Sequence, residues 1–384
     1  MVIGLREVSI SEEMRNERMH CIQKGILYAI NDVSEIPESD LEKEDFTVIE
    51  ETEFSSWFDT NQIPSHYYES FKFVTYAPKL FRYFRKSFNI LEENYKNSFC
   101  DEPLKEISNP GASKSIFYIT HDNKFIMKSV EGSENDCLLQ LLSNYRKYIL
   151  KHNQRSLLPK LSGFYRYESN EKKIKLLTMN NLKPSNINIY RKYDLKGSTY
   201  NRSVSTDGKS KRSVTFKDLD FKQKFDRGLF VKKNTLSALL QIIEKDCEFL
   251  KRHNIMDYSL LLIIYNIDDP NTLIKTTEIE AAEDRFKRLM HDSTTMNDIQ
   301  LADENCASLT GSIPAESWSG DKFLLFVGII DILQTYRFKK KVEYNTRSLL
   351  QPNISVQKPD VYASRLMEFL KKYVKLIFVS LLIR

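Results

Sequence analysis

The spacing of apolar residues predicts a first region that mixes strands with one helix. Apolar, β-prone segments flank a turn at residues 121–123, which is the pattern of a β-hairpin. Residues 134–150 then place apolar side chains three and four positions apart, which predicts an amphipathic helix. The strands expected here are residues 116–120, 124–130, 163–167 and 174–179. Together these elements predict a small α+β unit.

A second region repeats this mixture with a longer helix. Between residues 236 and 250, apolar side chains recur at the i, i+3, i+4 and i+7 positions. The β-rich run at 258–267 predicts a strand, residues 323–333 form another apolar run, and a last helix is expected at 361–375, after Pro359. The length of 384 residues allows two domains or one two-lobed enzyme.

Charge is distributed unevenly around a net value of +5. Residues 1–60 hold 5 Lys and Arg against 15 Asp and Glu and show little periodicity, so we expect an acidic, poorly ordered N-terminal extension. Residues 183–233 hold 14 basic against 5 acidic side chains, and residues 337–384 hold 11 against 3. Clustered positive charge favours an anionic partner, such as a phospholipid, a nucleic acid or a polyphosphate. A solvated surface whose charges balance in three dimensions explains the same pattern.

Several motifs with well-understood chemistry are missing from the sequence. There is no G-x-x-x-x-G-K-[ST], no G-x-S-x-G and no H-E-x-x-H, so P-loop, hydrolase and zincin chemistry lose support. The five cysteines are scattered without a C-x-x-C pair, which argues against a disulfide framework or a cysteine-based zinc site. A reducing compartment fits this cysteine usage.

Lys128 is the first candidate for chemistry, because it lies inside an apolar strand. The strand follows a loop of short residues at 111–115, and kinases hold ATP phosphates with a lysine on a strand behind such a loop. Glu134, on the helix that follows, is a candidate partner for this lysine. The simpler alternative is an exposed strand lysine.

Asp257 and Asp331 are further candidates, because a carboxylate in an apolar run is costly to bury unless it is paired or binds a cation. Two such carboxylates and one lysine suffice for phosphoryl transfer. One carboxylate orients or deprotonates a hydroxyl, the other holds Mg²⁺, and the lysine neutralises phosphate charge. As an alternative, Asp331 caps a helix. Lys196 precedes Gly197 and Ser198, whose backbone amides can approach an anion closely, although an ordinary turn has the same composition.

Three short strings of residues carry a resemblance to a known family. They are Asp194–Thr199 with Arg202, Met256–Leu261 and Ile329–Gln334. In this order they resemble the phosphatidylinositol phosphate kinases, and weaker agreement extends from about residue 65 to 375. The resemblance implies an α+β, two-lobed fold related to protein kinases, in which each lobe is an antiparallel sheet with packed helices. The implied lobes are residues 61–182 and 183–384, with Met179–Asn181 resembling the hinge between them.

The resemblance also implies roles for individual residues, with ATP and Mg²⁺ as cofactors. Lys128, paired with Glu134, and Lys196 would contact the ATP phosphates, Asp257 would be the catalytic aspartate, and Asp331 would bind Mg²⁺. The remaining implied contacts are Gly111, Ser113 and Ser115 with ATP, Asn180, Asn181 and Leu182 with the adenine, and Arg202 and Lys217 with the phosphate already on the substrate.

In the family that the chain resembles, the loop after Asp331 sets substrate choice. Its substrate-facing residues here are Lys339, Lys340, Lys341 and Glu343. A Glu at this place resembles the type I enzymes, which phosphorylate phosphatidylinositol 4-phosphate at the 5-position. Each Lys near an anionic leaflet contributes about 1 kcal/mol, so the basic run can dock the loop. The resemblance implies a cytoplasmic kinase, peripheral on the cytoplasmic face of the plasma membrane and usually a homodimer, with no nucleic-acid partner.

Two other functions stay open. A 4-kinase acting on the 5-phosphate lipid, or a 5-kinase acting on the 3-phosphate lipid, shares the main motifs, although Glu343 argues against the former. An inactive adaptor that binds phosphoinositides is the alternative from another class, because Lys114 stands where the family usually has Gly. The presence of Lys128, Asp257 and Asp331 argues against an inactive protein.

Overall fold

The computed structural model divides the chain into two compact units. The first unit is Met1–Glu131 with Lys160–Asn181, and the second is Gly132–Pro159 with Leu182–Arg384. The residues that the structure describes are 12–37, 39–55, 69–107, 115–152, 155–170, 172–183, 189–204, 214–269, 284, 286–287, 312–336 and 358–376. Each unit contains a sheet and helices, which confirms the predicted α+β class.

An antiparallel sheet of seven strands forms the framework of the first unit. The strands are β1 (Ile49–Phe54), β2 (Phe71–Tyr76), β3 (Lys105–Ile107), β4 (Phe117–Ile119), β5 (Phe125–Ser129), β6 (Leu161–Glu168) and β7 (Lys173–Asn180), and the helices are α1 (Glu12–Glu35), α2 (Pro78–Ser87) and α3 (Glu92–Cys100), with a 3₁₀ turn at Glu44–Phe46. The strand order is β1-β2-β6-β7-β5-β4-β3. The predicted hairpin is confirmed as β4–β5, where Asp122 Oδ1 accepts hydrogen bonds from Thr120 Oγ1 (2.7 Å) and Lys124 N (3.1 Å) and so fixes the turn.

Helix α1 contradicts the prediction that residues 1–60 form a poorly ordered extension. Its apolar face, which includes Met19, Ile22 and Ile26, is buried in the core of the first unit. The helix approaches β2 so closely that a Cβ at Gly25 would lie 2.2 Å from the ring of Phe73. The excess of acidic residues in this part of the sequence obscured the helix, although its apolar residues are spaced to form one buried face.

The second unit holds another sheet of seven strands, ordered β14-β10-β12-β13-β11-β8-β9. The strands are β8 (Arg191–Leu195), β9 (Thr215–Phe216), β10 (Leu229–Val231), β11 (Ser259–Asn266), β12 (Ile313–Glu316), β13 (Lys322–Ile330) and β14 (Val374–Leu376), and the helices are α4 (Ser133–Lys151), α5 (Asp218–Lys224), α6 (Lys233–Arg252) and α7 (Pro359–Tyr373). The central pairs are antiparallel, as predicted, but β8–β9 and β10–β14 are parallel. The sheet is mixed because long connections, and not hairpins, join the strands of these two edge pairs.

The predicted boundaries of the lobes differ from the observed units in one large segment. The border between Asn181 and Leu182 lies one residue from the predicted one, but residues 132–159, predicted in the first lobe, belong to the second unit. Hydrogen bonds explain this membership, since Tyr148 Oη on α4 donates to Asp246 on α6 at 2.7 Å. Among the described helices, none is both long and apolar enough to cross a bilayer.

Candidate functional site

Strand pairing brings the two predicted aspartates to one end of the second sheet. Asp257 lies two residues before β11 begins, and Asp331 is the first residue after β13 ends. Because β11 and β13 are antiparallel neighbours, the beginning of the former lies beside the end of the latter. Beyond the two aspartates, an isolated antiparallel bridge pairs Ile255 with Thr335, so both carboxylates occupy facing segments that are tied together on either side.

Both aspartates adopt a backbone conformation that is uncommon for residues other than glycine. The φ angles are +65° at Asp257 and +62° at Asp331. Such angles carry a free-energy cost, although Asp tolerates them better than most residues because its short side chain can form local hydrogen bonds. The side chain of Asp331 is exposed, whereas that of Asp257 is about one-third exposed.

Lys196 forms an ion pair with Asp257. Its Nζ donates to Asp257 Oδ1 and to the carbonyl oxygen of Asp257, both at 2.7 Å. The ammonium is in reach because Lys196 follows β8, which pairs with β11. The sequence predicted Lys196 at the ATP phosphates and did not predict this pair. The contact fixes the carboxylate beside a cation and leaves the charge of Lys196 next to the predicted catalytic residue.

Asp218, the first residue of α5, organises the backbone around Lys196. Its buried carboxylate accepts hydrogen bonds from Lys196 N (3.0 Å), Gly197 N (2.7 Å) and Arg202 Nε (2.7 Å). Arg202 also donates to the side chain of Asp194 at 2.6 Å. The burial of Arg202 opposes its charge, yet Asp194 and Asp218 together hold the pKa of its guanidinium above the ordinary value. The sequence predicted no role for either acid.

Arg202 and Lys217 were predicted to face the phosphate of the substrate. The guanidinium of Arg202 is largely buried against its two carboxylates. Lys217 precedes α5, where its backbone N–H donates to Asp220 Oδ2 at 3.1 Å. A substrate contact by either side chain stays a prediction.

The predicted ATP-binding residues of the first unit lie on β5 and beside it. Lys128 is 7% exposed, and its backbone is paired with Phe117 on β4 and Leu177 on β7. Ser115 precedes β4, next to Ile116, whose N–H donates to Ser129 Oγ at 2.8 Å. The buried position of Lys128 excludes the alternative of an exposed strand lysine.

The predicted hinge residues make specific contacts at the end of β7. Asn180 Oδ1 accepts a hydrogen bond from Lys160 N at 2.8 Å, and Asn181 Nδ2 donates to Asn123 O at 2.9 Å. Leu182 belongs to the second unit, where it packs against an apolar cluster that includes Ile263. The two asparagine side chains therefore bind the backbone of neighbouring segments, at Lys160 and Asn123. Contact between this segment and an adenine stays a prediction.

Glu134 has a partner that the sequence did not predict. Its Oε1 accepts a hydrogen bond from Gln334 Nε2 at 3.0 Å, three residues after Asp331. Lys128 belongs to the first unit and Glu134 to the second, so their pairing stays a prediction. The predicted site residues Gly111, Ser113, Lys339, Lys340, Lys341 and Glu343, together with Lys114, lie outside the described residues.

A Mg²⁺ ion that arrives with ATP is compatible with the residues present. The described part of the chain contains no group of three or more His, Cys, Asp or Glu side chains that could hold a metal. Mg²⁺ in nucleotide sites takes one or two carboxylates and obtains its other ligands from phosphates and water. The exposed carboxylate of Asp331 fits this donor set.

Comparison with known proteins agrees with the motifs at the site. The family model described as Phosphatidylinositol-4-phosphate 5-Kinase matches residues 98–373. The chain is 41% identical to phosphatidylinositol 4-phosphate 5-kinase type-1 alpha of Rattus norvegicus, over 96% of this chain and 70% of that protein. It is 40% identical to the human type-1 beta protein, over 92% and 67%, and 36% identical to the type-1 sktl protein of Drosophila melanogaster, over 96% and 54%. The resemblance seen in the sequence is thereby confirmed, and the chain belongs to the phosphatidylinositol-4-phosphate 5-kinase family.

Proposed function

We propose that this chain transfers the γ-phosphate of ATP to the 5-hydroxyl of phosphatidylinositol 4-phosphate and so produces phosphatidylinositol 4,5-bisphosphate. The names of its relatives support this reaction, since all of those quoted above are 4-phosphate 5-kinases. The observation that carries the proposal is the arrangement of Asp257, in an ion pair with Lys196, beside Asp331 at one end of the β11–β13 ladder.

In the proposed reaction, Asp257 accepts the proton of the 5-hydroxyl while that oxygen attacks the γ-phosphorus. The bond between the γ-phosphorus and the bridging oxygen breaks, and ADP leaves with the electron pair. Lys196 orients the Asp257 carboxylate. Lys128 has the role that kinases give to a strand lysine, which is to neutralise charge on the ATP phosphates. When bound with the nucleotide and held by Asp331, Mg²⁺ neutralises charge on the phosphates. Positioning and electrostatic stabilisation therefore suffice, without a covalent intermediate.

The membrane partner is the anionic leaflet that contains the substrate. The supporting feature is the concentration of basic residues, 14 at 183–233 and 11 at 337–384. Several lysines near an anionic surface add about 1 kcal/mol each, so together they can hold a protein without a membrane-spanning helix. We propose the cytoplasmic face of the plasma membrane as the location, and a homodimer as the assembly.

The decisive experiment presents vesicles that contain the 3-, 4- or 5-monophosphate lipid together with labelled ATP, followed by position-resolved analysis of the product. We expect incorporation only into the 4-phosphate lipid, at the 5-position. Labelling of the 5-phosphate lipid at its 4-position would instead show that the chain is a 4-kinase. Failure to label any of the three lipids would favour the inactive adaptor.

Variants test the site in the same assay. Lys128→Ala and Asp331→Ala should reduce turnover to background while the proteins stay folded, because each removes a charge placed at the nucleotide. Asp226→Ala is the matched control, since this acid is exposed on a turn of the second unit. Activity like that of the wild type in either Lys128→Ala or Asp331→Ala would refute the assignment.

A further inference from the structure

Helix α7 packs against the segments that carry both members of the Lys196–Asp257 ion pair. The hydroxyl of Tyr362 donates to the carbonyl oxygen of Tyr258, the residue after Asp257. One turn later, Arg365 Nε donates to the carbonyl oxygen of Lys196 at 3.3 Å. Because positions i and i+3 lie on the same side of a helix, one face of α7 reaches both segments.

The contact made by Tyr362 is buried and rigid. Tyr258 and Tyr362 are both fully buried, and their rings meet edge to face with centroids 4.8 Å apart. The hydroxyl therefore has little freedom to move away from the Tyr258 carbonyl. Breaking this bond would leave the buried carbonyl of Tyr258 without the donor that Tyr362 provides, which is unfavourable.

The backbone that Tyr362 holds is the one that aims the Asp257 carboxylate. Asp257 has a φ of +65°, so the turn must be stabilised by contacts from outside. Lys196 binds the carboxylate and the carbonyl oxygen of Asp257, whereas Tyr362 binds the carbonyl oxygen of Tyr258, one peptide further along the chain. The two contacts act on successive residues, so Tyr362 restrains a part of the turn that the hydrogen bonds of Lys196 do not reach.

We propose that Tyr362 is a positioning residue for the phosphoryl transfer. Its hydroxyl holds the turn at Asp257 so that the carboxylate meets the hydroxyl of the lipid headgroup at hydrogen-bonding distance. The inference rests on the proposed function, since it gives Asp257 the role of proton acceptor. A misplacement of about 1 Å at such a group lowers turnover by roughly a hundredfold, so even a small shift of this turn is measurable.

Tyr362→Phe tests the proposal, because it removes one oxygen and keeps the ring. We expect kcat to fall by about tenfold or more, while KM for ATP stays within about twofold of the wild type. Amide hydrogen exchange of the peptide that contains Asp257 should become faster. The matched control is Tyr373→Phe, which removes a hydroxyl from another buried tyrosine of α7 and should leave kcat and this exchange unchanged.

Two outcomes would overturn the proposal. One is a kcat within twofold of the wild type in Tyr362→Phe, and the other is an equal loss in Tyr373→Phe, which would indicate general loosening of α7. Asp257→Ala, assayed in parallel, separates this inference from the proposed function. A fully active Asp257→Ala would refute the role of Asp257 itself, whereas an inactive Asp257→Ala with normal Tyr362→Phe would refute only the role of Tyr362.

Discussion

Asp246 makes the stability of the protein depend on pH in a predictable direction. This carboxyl group on α6 is fully buried. Its Oδ1 accepts hydrogen bonds from Tyr148 Oη and Ser156 Oγ, and its Oδ2 accepts one from Leu157 N, all at 2.7 Å. Burial raises the pKa of Asp246 to about 7, and the three hydrogen bonds limit that rise without cancelling it.

The sign of the effect follows from the two protonation states. In the unfolded chain Asp246 titrates near its ordinary pKa of 3.8, whereas in the folded protein its pKa is about 7. Between these values the folded state binds more protons, so the free energy of unfolding decreases as pH rises. The stabilisation is fully present below pH ~4 and is lost as pH rises through about 7. At 1.36 kcal/mol per pKa unit, the whole change is roughly 4 kcal/mol.

The measurement is urea unfolding of the wild type and of Asp246→Asn from pH 4.5 to 8.5. The amide is neutral throughout, and its oxygen can still accept from Leu157 N while its NH₂ group donates to the two hydroxyls. We expect the stability of the wild type relative to the variant to decrease by a few kcal/mol as pH rises to about 7, and to change little above that value. Glu244→Gln, an acid-to-amide change at an exposed position of the same helix, is the control.

Two results would contradict this reasoning about Asp246. A stability difference that does not change with pH would mean that the group keeps one protonation state in both folded and unfolded chains. A difference that increases with pH would mean that its three donors outweigh burial and stabilise the carboxylate. Glu244→Gln with the same pH dependence as Asp246→Asn would show that any lost carboxylate produces the effect.

Two further changes test the packing of each unit by urea unfolding. Gly197→Ala should destabilise the protein by more than ~1 kcal/mol, because φ is +69° and the new Cβ would lie 2.7 Å from a backbone oxygen of α7. The control is Gly320→Ala, which should cost less, because φ is +92° there but the space around the new Cβ is open. Equal losses of stability in the two variants would show that the contact with α7 is not the cause. Glu92→Ala should cost about 3–5 kcal/mol, because it leaves the buried guanidinium of Arg85 without its two-point ion pair. The exposed neighbour provides the control Glu93→Ala, for which we expect a change within about 0.5 kcal/mol, and a similar value for both variants would show that the buried pair is not the cause.

The local pattern of the sequence was enough to predict the hairpin at β4–β5, the long helix α6 and a strand close to β11, and it identified the apolar run that contains most of β13. Apolar periodicity is a property of neighbouring residues, and it selects helix or strand before the rest of the chain is placed. The same local view identified Asp257 and Asp331, because acids beside apolar strands are conspicuous. It missed α1, since the excess of acidic residues over 1–60 favoured the interpretation of a poorly ordered extension.

Contacts between distant residues were decided only by the tertiary structure. Asp246 meets Leu157 across 89 positions, and Lys196 meets Asp257 across 61. Their partners depend on which strands pair and which helix covers them, and no window of the sequence contains that information. The parallel edge strands and the bond from Tyr362 to the turn at Asp257 have the same origin. The sequence therefore determined the elements and the candidate chemistry, whereas long-range packing determined which groups meet and in what geometry, because burial and hydrogen bonding act on the folded chain as a whole.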